Sequence, residues 1–351
     1  MQLSARGVVL VLFTACLPTL PGEDAGTDAG RPIPPPAIDL AVGATHACAR
    51  MADSTVRCWG SYTNMELAPI TRDDLPAVVT ALNGARSVTL GEDFGCAYFG
   101  PGTRCWGVGA QGQLGNGDTM TRNAPVPVSG DEVADAVAGG RHACARIDGG
   151  VVTCWGDNSQ GQLGAGSAMM QSSTPLPIAN LNGSQVDLGL AHGCARLVSG
   201  SVFCWGANDE GQVGDGTNSP QSTPVRVLGL DALAVSAGRF SCALGTDRSV
   251  SCWGLGSSTP SAWLFPDGGW REISVGAQLC ARAADGTIRC LDRADAGVDV
   301  PVPNAVQLGS GDRFSCARTD GGTVWCWGRN DLGQLGDGTR TGSASPVKVG
   351  F

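Results

Sequence analysis

The residues best suited to chemistry in this chain are cysteines that recur in pairs. In the stretch HACARIDGGVVTCWG, residues 142–156, two cysteines stand ten residues apart, and a histidine lies two residues before the first. Cysteine and histidine are zinc ligands, and paired thiols can also carry redox chemistry. Both kinds of site commonly use C-x-x-C spacing, which does not occur in the chain. The spacing therefore favours disulfides over a metal centre or a redox-active thiol pair.

Each cysteine pair brackets a short turn. Gly149 lies midway between Cys144 and Cys154, and the flanking residues are typical of β-strands. Residues that face each other in an antiparallel hairpin have Cα atoms about 4.5–5.5 Å apart, within the range that a disulfide spans. The spacing predicts one disulfide per hairpin. The predicted pairs are Cys48–Cys58, Cys96–Cys105, Cys144–Cys154, Cys194–Cys204, Cys242–Cys252, Cys280–Cys290 and Cys316–Cys326.

Two other residue types recur beside the first cysteine of a pair. Histidine occurs in three of the seven copies, at His46, His142 and His192, and a recurrence at one repeat position indicates a structural role on a strand. Arginine follows the cysteine by two positions and is predicted to be solvated or hydrogen-bonded near the hairpin turns, with a basic ring as the alternative. These arginines are Arg50, Arg146, Arg196, Arg282 and Arg318.

A glycine-rich motif follows four of the pairs, as in GQLGAG at residues 161–166. Glycine loops can cradle phosphate, but a phosphate loop occurs once, opens a helix and often carries a lysine. Four copies without lysine instead predict turns in which glycine supplies a positive φ. The large apolar residue of each copy is predicted to fill the core: Leu114, Leu163, Val213 and Leu335. Tryptophan directly after the second cysteine is predicted to pack between repeats: Trp59, Trp106, Trp155, Trp205, Trp253 and Trp327.

Charge and motif content argue against several function classes. The formal net charge is −9 and Lys348 is the only lysine, whereas nucleic-acid binding needs a basic surface. Neither H-E-x-x-H nor G-x-S-x-G occurs in the chain. We therefore expect no enzymatic activity, no cofactor, no metal site and no nucleic-acid partner.

The N-terminus is predicted to be an export signal. Arg6 precedes an apolar run that is too short to span a bilayer. The run ends in FTAC, which resembles a bacterial lipobox except that Phe13 replaces the usual leucine. Because fourteen of the 15 cysteines are paired, Cys16 is left over. We predict a signal peptide at residues 1–16 with lipidation of Cys16; cleavage near Ala15 by an ordinary signal peptidase is the alternative.

The remaining chain divides into a tether and a repeat array. Residues 17–36 are rich in Pro, Gly and Asp and are predicted to be a tether. In residues 37–351 the second cysteine of the pairs recurs about every 36 to 50 residues, a period typical of repeat architectures. Short strands with glycine-rich turns at this period favour a β-propeller.

The repeats resemble the regulator of chromosome condensation repeat family. The stretch HGCARLVSGSVFCWGANDEGQVGDG, residues 192–216, carries the family's H-x-x-A strand, its W-G dipeptide and its N-x-x-G-Q-L-G-x-G loop with valine in place of leucine. The resemblance is clear in repeats two, three, four and seven and weaker in the others. It implies an all-β fold, a single seven-bladed β-propeller.

The phase of the repeats suggests how such a ring would close. The first repeat begins with AIDLAV at residues 37–42, without a preceding Pro-Val strand, and the chain ends in ASPVKV at residues 344–349. We expect the C-terminal strand to join the first blade, which would remove an exposed sheet edge.

The resemblance also implies that one face of the propeller binds another protein. We expect a non-catalytic, monomeric protein-interaction platform at the bacterial cell envelope, either an outer-membrane or cell-surface lipoprotein held only by Cys16 or a secreted protein. A passive surface or matrix component and an inhibitor of an extracytoplasmic enzyme are the alternatives. The predicted partner-binding patch is Trp263, Phe265 and Trp270, whose alternative role is packing within and between strands.

Overall fold

Short antiparallel β-strands make up nearly all of the regular structure. The computed structural model describes residues 34–61, 74–100, 102–130, 133–166, 168–263, 269–291 and 297–351. The predicted signal peptide, Cys16, most of the predicted tether and Phe265 lie outside the described residues. Residues Pro35–Phe351 form one unit by their internal contacts. The all-β class is confirmed.

The described residues contain 26 strands and two short 3-10 turns, Thr80–Leu82 and Asp148–Gly150. Two strands are much longer than the rest, with 18 residues in β12 and 17 in β15. The strands are β1 Ala37–Val42, β2 His46–Met51, β3 Val56–Gly60, β4 Ala77–Val78, β5 Ser87–Leu90, β6 Phe94–Tyr98, β7 Thr103–Gly107, β8 Arg122–Pro127, β9 Ala134–Ala138, β10 His142–Arg146, β11 Val151–Asp157, β12 Gln171–Leu188, β13 His192–Leu197, β14 Ser201–Gly206, β15 Gln221–Ala237, β16 Ser241–Gly245, β17 Val250–Gly254, β18 Ser257–Trp263, β19 Trp270–Val275, β20 Leu279–Ala283, β21 Ile288–Leu291, β22 Val298–Val300, β23 Ala305–Ser310, β24 Phe314–Thr319, β25 Val324–Gly328 and β26 Ser343–Lys348.

Within the described residues these strands form five sheets, four of them with four strands and one with ten. The ten-stranded sheet, β9 to β18, contains three groups of four strands because β12 and β15 each serve two groups. The first part of β12 pairs with β11 and its last part with β13; β15 bridges β14 and β16 in the same way. We number the seven four-stranded groups in chain order: group 1 β1–β4, group 2 β5–β8, group 3 β9–β12, group 4 β12–β15, group 5 β15–β18, group 6 β19–β22 and group 7 β23–β26.

The C-terminal strand does not join the first group, contrary to the expectation from the sequence. β26 pairs with β25, with Val347 opposite Cys326, and completes group 7. Group 1 has its own outer strand, in which Ala77 lies opposite Cys58. The expectation was wrong because it placed each Pro-Val strand at the start of the following repeat. In the structure the chain leaves the glycine-rich loop and returns alongside the strand that it has just left.

Residues 134–146 form two strands joined by a short turn. β9 ends at Ala138 and β10 begins at His142, so the chain turns at residues 139–141. The turn consists of Gly139, Gly140 and Arg141. Each group begins with such a two-stranded hairpin.

The second hairpin of every group carries the cysteines. Cys144 lies opposite Cys154 in the pairing of β10 with β11, and the same register holds in the other six groups. All seven predicted pairs lie at disulfide distance, with Cα–Cα separations of 4.0 to 4.1 Å.

The core lies between neighbouring groups rather than within a single one. Leu163 of group 3, for example, packs in one buried cluster with Trp205 of group 4. The first and last groups share a cluster of the same kind, which contains Met51 of group 1 together with Phe314 and Leu335 of group 7. Burying each such side chain contributes about 1.5–3 kcal/mol, so the packing of sheet on sheet holds the groups in fixed positions.

Candidate functional site

One cavity is lined by residues from all seven groups. It has a volume of about 550 Å³ and is formed by the ends of the first strand of each group and the turns that follow. A cavity where every repeat contributes is the default candidate for a binding site. We call the seven turns the rim; they comprise residues 43–45, 91–93, 139–141, 189–191, 238–240, 276–278 and 311–313.

A glycine opens every turn of the rim: Gly43, Gly91, Gly139, Gly189, Gly238, Gly276 and Gly311. A β-carbon at Gly91 would lie 2.6 Å from the carbonyl oxygen of Gly139, and one at Gly139 would lie 2.6 Å from that of Gly189. Only glycine allows neighbouring groups to approach this closely. The sequence analysis missed these residues, although each lies four or five positions before the first cysteine of its pair.

Backbone hydrogen bonds join each turn of the rim to the next. The amide of Ala44 donates to Gly91 at 3.3 Å and that of Glu92 donates to Gly140 at 3.1 Å. The intermediate bonds run from Gly140 to Gly189, Leu190 to Gly238, Arg239 to Gly276 and Ala277 to Gly311. The seventh turn donates back to the first, from Asp312 to Ala44 at 2.9 Å. The seven bonds thus return to the group where they began.

Polar side chains on the first strands supply further contacts from one group to the next. The Oγ1 atom of Thr89 accepts a hydrogen bond from the amide of Ala138 at 3.0 Å. Ser236 Oγ accepts from the amide of Val275 at 3.1 Å. Ala138 lies on β9 and Val275 on β19, which are edge strands of their sheets, so these acceptors satisfy backbone groups that no strand pairs with.

Asp187 makes the same kind of contact with a carboxylate. Its Oδ2 accepts from the amide of Ala237 at 2.9 Å, and its Oδ1 accepts from the amide of Leu188 at 3.0 Å. The residue also lines the cavity. Burial raises the pKa of Asp187 to about 6, although the hydrogen bonds from Ala237, Ser236 and Leu188 act in the opposite direction.

The three histidines lie on strands beneath the rim and are buried. Burial lowers the pKa of His46 and His142 to about 4 and that of His192 to about 3. All three therefore stay neutral at physiological pH. Phenylalanine fills the same position in three other groups, at Phe94, Phe240 and Phe314. Six of the seven groups thus place an aromatic ring here, and group 6 has Gln278; this agrees with the predicted structural role of the histidines.

His192 and Ser241 have the composition of a base and a nucleophile. The Nε2 atom of His192 lies 2.8 Å from the Oγ atom of Ser241. Ser241 is 0% exposed, however, and its hydroxyl donates to the carbonyl of Gln212 at 2.9 Å. A nucleophile must be reachable by its substrate, so this pair acts as a buried link between groups 4 and 5.

The glycine-rich motif and the tryptophan form one shared contact. The indole Nε1 of one group donates to the backbone oxygen of the motif's glutamine in the preceding group. The bonds are Trp59–Gln334 at 2.9 Å, Trp155–Gln113 at 3.0 Å and Trp205–Gln162 at 2.8 Å. The apolar residues Leu114, Leu163, Val213 and Leu335 are fully buried. The predicted core and packing roles of both motifs are confirmed.

The recurrent arginines are engaged in contacts within the sheets, as predicted. Arg282 Nε lies 2.7 Å from Glu272, and Glu272 also accepts from the amide of Leu308 in the next group at 3.2 Å. Arg318 donates to Gln307 at 3.0 Å. Both arginine contacts lie within one group, and Glu272 extends the first of them to group 7.

The predicted partner-binding aromatics do not form one exposed patch. Trp270 is 3% exposed and belongs to the core between groups 5 and 6, because β19 packs against β16 there. It is therefore a core residue, which was the alternative. Trp263 is partly buried and stacks on Phe240 with ring centroids 5.4 Å apart. Phe265 lies outside the described residues.

No group of three or more His, Cys, Asp or Glu residues is placed to hold a metal ion among the described residues. No helix in that described part is both long enough and apolar enough to cross a bilayer.

Two family models match the chain, and both describe the regulator of chromosome condensation (RCC1) repeat. One matches residues 133–162, 184–212 and 305–334. The other matches residues 105–146, 199–244 and 321–351. The matched segments span the cysteine hairpins and the glycine-rich loops described above.

Individual proteins are similar to this chain over regions of different length. The ultraviolet-B receptor UVR8 of Arabidopsis thaliana is 29% identical over 132 residues, which cover 35% of this chain and 30% of the receptor. The structure of human WBSCR16 superposes with a TM-score of 0.75 at 19% identity, covering 85% of this chain and 94% of that one. Prp20p of Saccharomyces cerevisiae gives 0.75 at 19% identity, covering 86% and 87%. At these identities the structural likeness shows the fold, a β-propeller. The chain therefore carries regulator of chromosome condensation (RCC1) repeats within residues 105–162, 184–244 and 305–351.

Proposed function

We propose that the seven groups are the blades of a closed seven-bladed propeller and that its rim binds a protein partner. Two observations support closure. The hydrogen bonds of the rim return from Asp312 to Ala44. The first and last groups also share a buried cluster in which Met51 meets Phe314.

The proposal of a binding role rests on a contrast between residues that repeat in every group and rim residues that do not. Cysteine, glycine and tryptophan repeat from group to group, whereas the residue after the rim glycine changes its chemistry. It is acidic at Glu92, apolar at Leu190, basic at Arg239 and acidic at Asp312. Leu190 is 57% exposed. A repeating framework that presents a non-repeating surface is typical of proteins that recognise another macromolecule.

The relatives agree with a protein partner. Prp20p, which has the same fold, binds Gsp1p and histones. For this chain we propose a different setting: a non-catalytic platform that is exported, anchored through a lipid on Cys16 and located at the bacterial cell envelope. The uncleaved sequence supports this setting through its short apolar run and its unpaired cysteine.

Proximity labelling in intact host cells, with the full chain as bait, tests the proposal. The test variant combines Leu190→Asp with Arg239→Glu on the rim. Val198→Asp is the matched control. Leu190 lies just before β13 and Val198 directly after it, and Val198 is 86% exposed. Thermal unfolding of all three proteins confirms that they fold alike.

A partner that is labelled by the native chain and the control but lost with the rim variant supports the platform. A partner retained by both variants would move the binding surface away from the rim. Absence of any specific partner would contradict the platform and favour a passive component of the surface.

A further inference from the structure

Asp187 is the charged exception at a position that is otherwise neutral in all groups. The position lies opposite the first cysteine of each pair, at the end of the first strand. The six equivalent residues are Ala41, Thr89, Val137, Ser236, Ser274 and Gly309. All seven line the cavity.

The framework does not need a charge at this position. Thr89 and Ser236 accept a hydrogen bond from the next group through a neutral hydroxyl. Asp187 makes the equivalent contact with Ala237 through one carboxylate oxygen. A hydroxyl would serve that contact equally well, so the contact leaves the carboxylate charge unexplained.

The charge of Asp187 also lacks a counter-ion. Among the described residues it forms no ion pair, and its hydrogen bonds come from neutral groups: the amides of Leu188 and Ala237 and the hydroxyl of Ser236. Asp187 is half-buried, and removing an ionised carboxylate from water is costly unless it is paired; here burial raises its pKa to about 6. A cation in the cavity would remove this cost at neutral pH.

The surroundings of Asp187 define which cation fits. The volume of about 550 Å³ accommodates a small organic group, and the neighbouring hydroxyls of Ser236 and Ser274 can bind N–H donors. A divalent metal would need several carboxylates or comparable ligands, and no such cluster exists among the described residues. At the rim, Glu92 is paired with Arg141 at 3.3 Å, and Asp312 and Arg239 are one charge of each sign among the other residues that line the cavity.

We infer that the cavity binds a compact monocationic group, a primary ammonium or a guanidinium, on the carboxylate of Asp187. The group is carried either by a free organic cation or by a basic side chain of a protein partner. The site stands whether or not the rim is the partner platform, because it depends only on the cavity and on Asp187.

Isothermal titration calorimetry tests the site with three probes: n-butylammonium chloride, N-acetyl-lysine amide and n-butanol as the neutral analogue. Asp187→Thr copies the residue of group 2, removing the charge while keeping an acceptor for Ala237. Asp93→Asn removes a carboxylate from the rim that does not line the cavity. Thermal unfolding checks that each variant remains folded.

We expect the native chain and Asp93→Asn to bind n-butylammonium, and Asp187→Thr to bind it at least about tenfold more weakly. Below pH 6, binding should weaken by about tenfold per pH unit, because the cation competes with a proton on Asp187. Tighter binding of N-acetyl-lysine amide than of n-butylammonium would assign the site to a partner's side chain, and the reverse order to a free cation. Equal binding by Asp187→Thr, equal binding of n-butanol, or no binding of either cation at millimolar concentration would overturn the inference.

Discussion

The indole Nε1 of Trp59, in group 1, donates a hydrogen bond to the backbone oxygen of Gln334, in group 7. The bond is 2.9 Å long and joins residues 275 positions apart. The same bond joins consecutive groups, as between Trp155 and Gln113. The first and last groups therefore meet through the contact that also joins internal repeats.

This bond should contribute measurably to the stability of the fold. Trp59→Phe removes the donor, keeps an aromatic ring and leaves the carbonyl of Gln334 without this partner. We expect a loss of about 1 kcal/mol in the free energy of unfolding, measured by urea denaturation.

Trp327→Phe is the matched control for Trp59→Phe. Its Nε1 is buried without a hydrogen-bond partner among the described residues, so the same substitution removes no bond and should cost less. If both substitutions cost the same, the bond between Trp59 and Gln334 adds nothing and only ring packing matters.

The rim glycines should tolerate no side chain. In Gly139→Ala the new β-carbon would meet the carbonyl oxygen of Gly189 at 2.6 Å, and neighbouring groups would have to separate. We expect a destabilisation of about 1–3 kcal/mol or more, as for other overpacked sites. Gly321→Ala is the control, since a β-carbon there would have its nearest neighbour 3.9 Å away. Equal unfolding midpoints for the two variants would show that the groups do not approach as closely as described.

The buried histidines should make the fold sensitive to acid. Their pKa is about 4 at His46 and His142 and about 3 at His192, below the ordinary value of 6.5. Between pH 6.5 and 4 the unfolded chain takes up protons that the folded chain cannot. Stability therefore falls as pH falls through this window, by about 3 kcal/mol per histidine at pH 4, and is unaffected above it.

Replacing all three histidines with phenylalanine, the residue of groups 2, 5 and 7, should remove this acid sensitivity. The measurement is the difference in unfolding free energy between the native chain and the variant from pH 7.5 to 4. Loss of the contact between His192 and Ser241 changes the unfolding free energy by the same amount at every pH, so it does not change the slope of the difference against pH. A difference that stays constant with pH would mean that the histidines already titrate normally in the folded protein.

Asp187 should have the opposite dependence on pH. Because its pKa is raised from 3.8 to about 6, the folded chain binds a proton that the unfolded chain has released between these values. Stability therefore decreases as pH rises from 4 to 6, by about 3 kcal/mol in total. Asp187→Thr should be more stable than the native chain at pH 7, and the gain should vanish near pH 4. A gain that does not depend on pH would place the cause in packing rather than ionisation.

Features that depend on short sequence separations could be predicted from the sequence. The pairing of Cys144 with Cys154 follows from a ten-residue hairpin, and the burial of Leu163 and Trp205 follows from their recurrence in every strong repeat. The structural role of the histidines follows from the same argument. In each case one repeat contains the whole signal.

Features that depend on contacts between repeats could not be predicted in the same way. Gly139 is required by the carbonyl of Gly189, which comes from the next repeat and is invisible in a hairpin motif. Predicting the partner of β26 required knowing whether the Pro-Val strand ends one repeat or begins the next. The sequence period is the same in both cases, so it could not decide between them. Asp187 stands out only when the seven residues that line the cavity are compared position by position. Trp270 was misjudged because a cluster of aromatics in sequence need not be exposed.

Site-specific photocrosslinking in intact host cells tests the central claim, that the rim binds a protein partner. A photoreactive amino acid replaces Leu190 on the rim in one protein and Val198 at the far end of β13 in the other; both positions are exposed. The account predicts a discrete crosslinked partner from position 190 and none from position 198. A crosslink only from position 198, or from neither position, would contradict it.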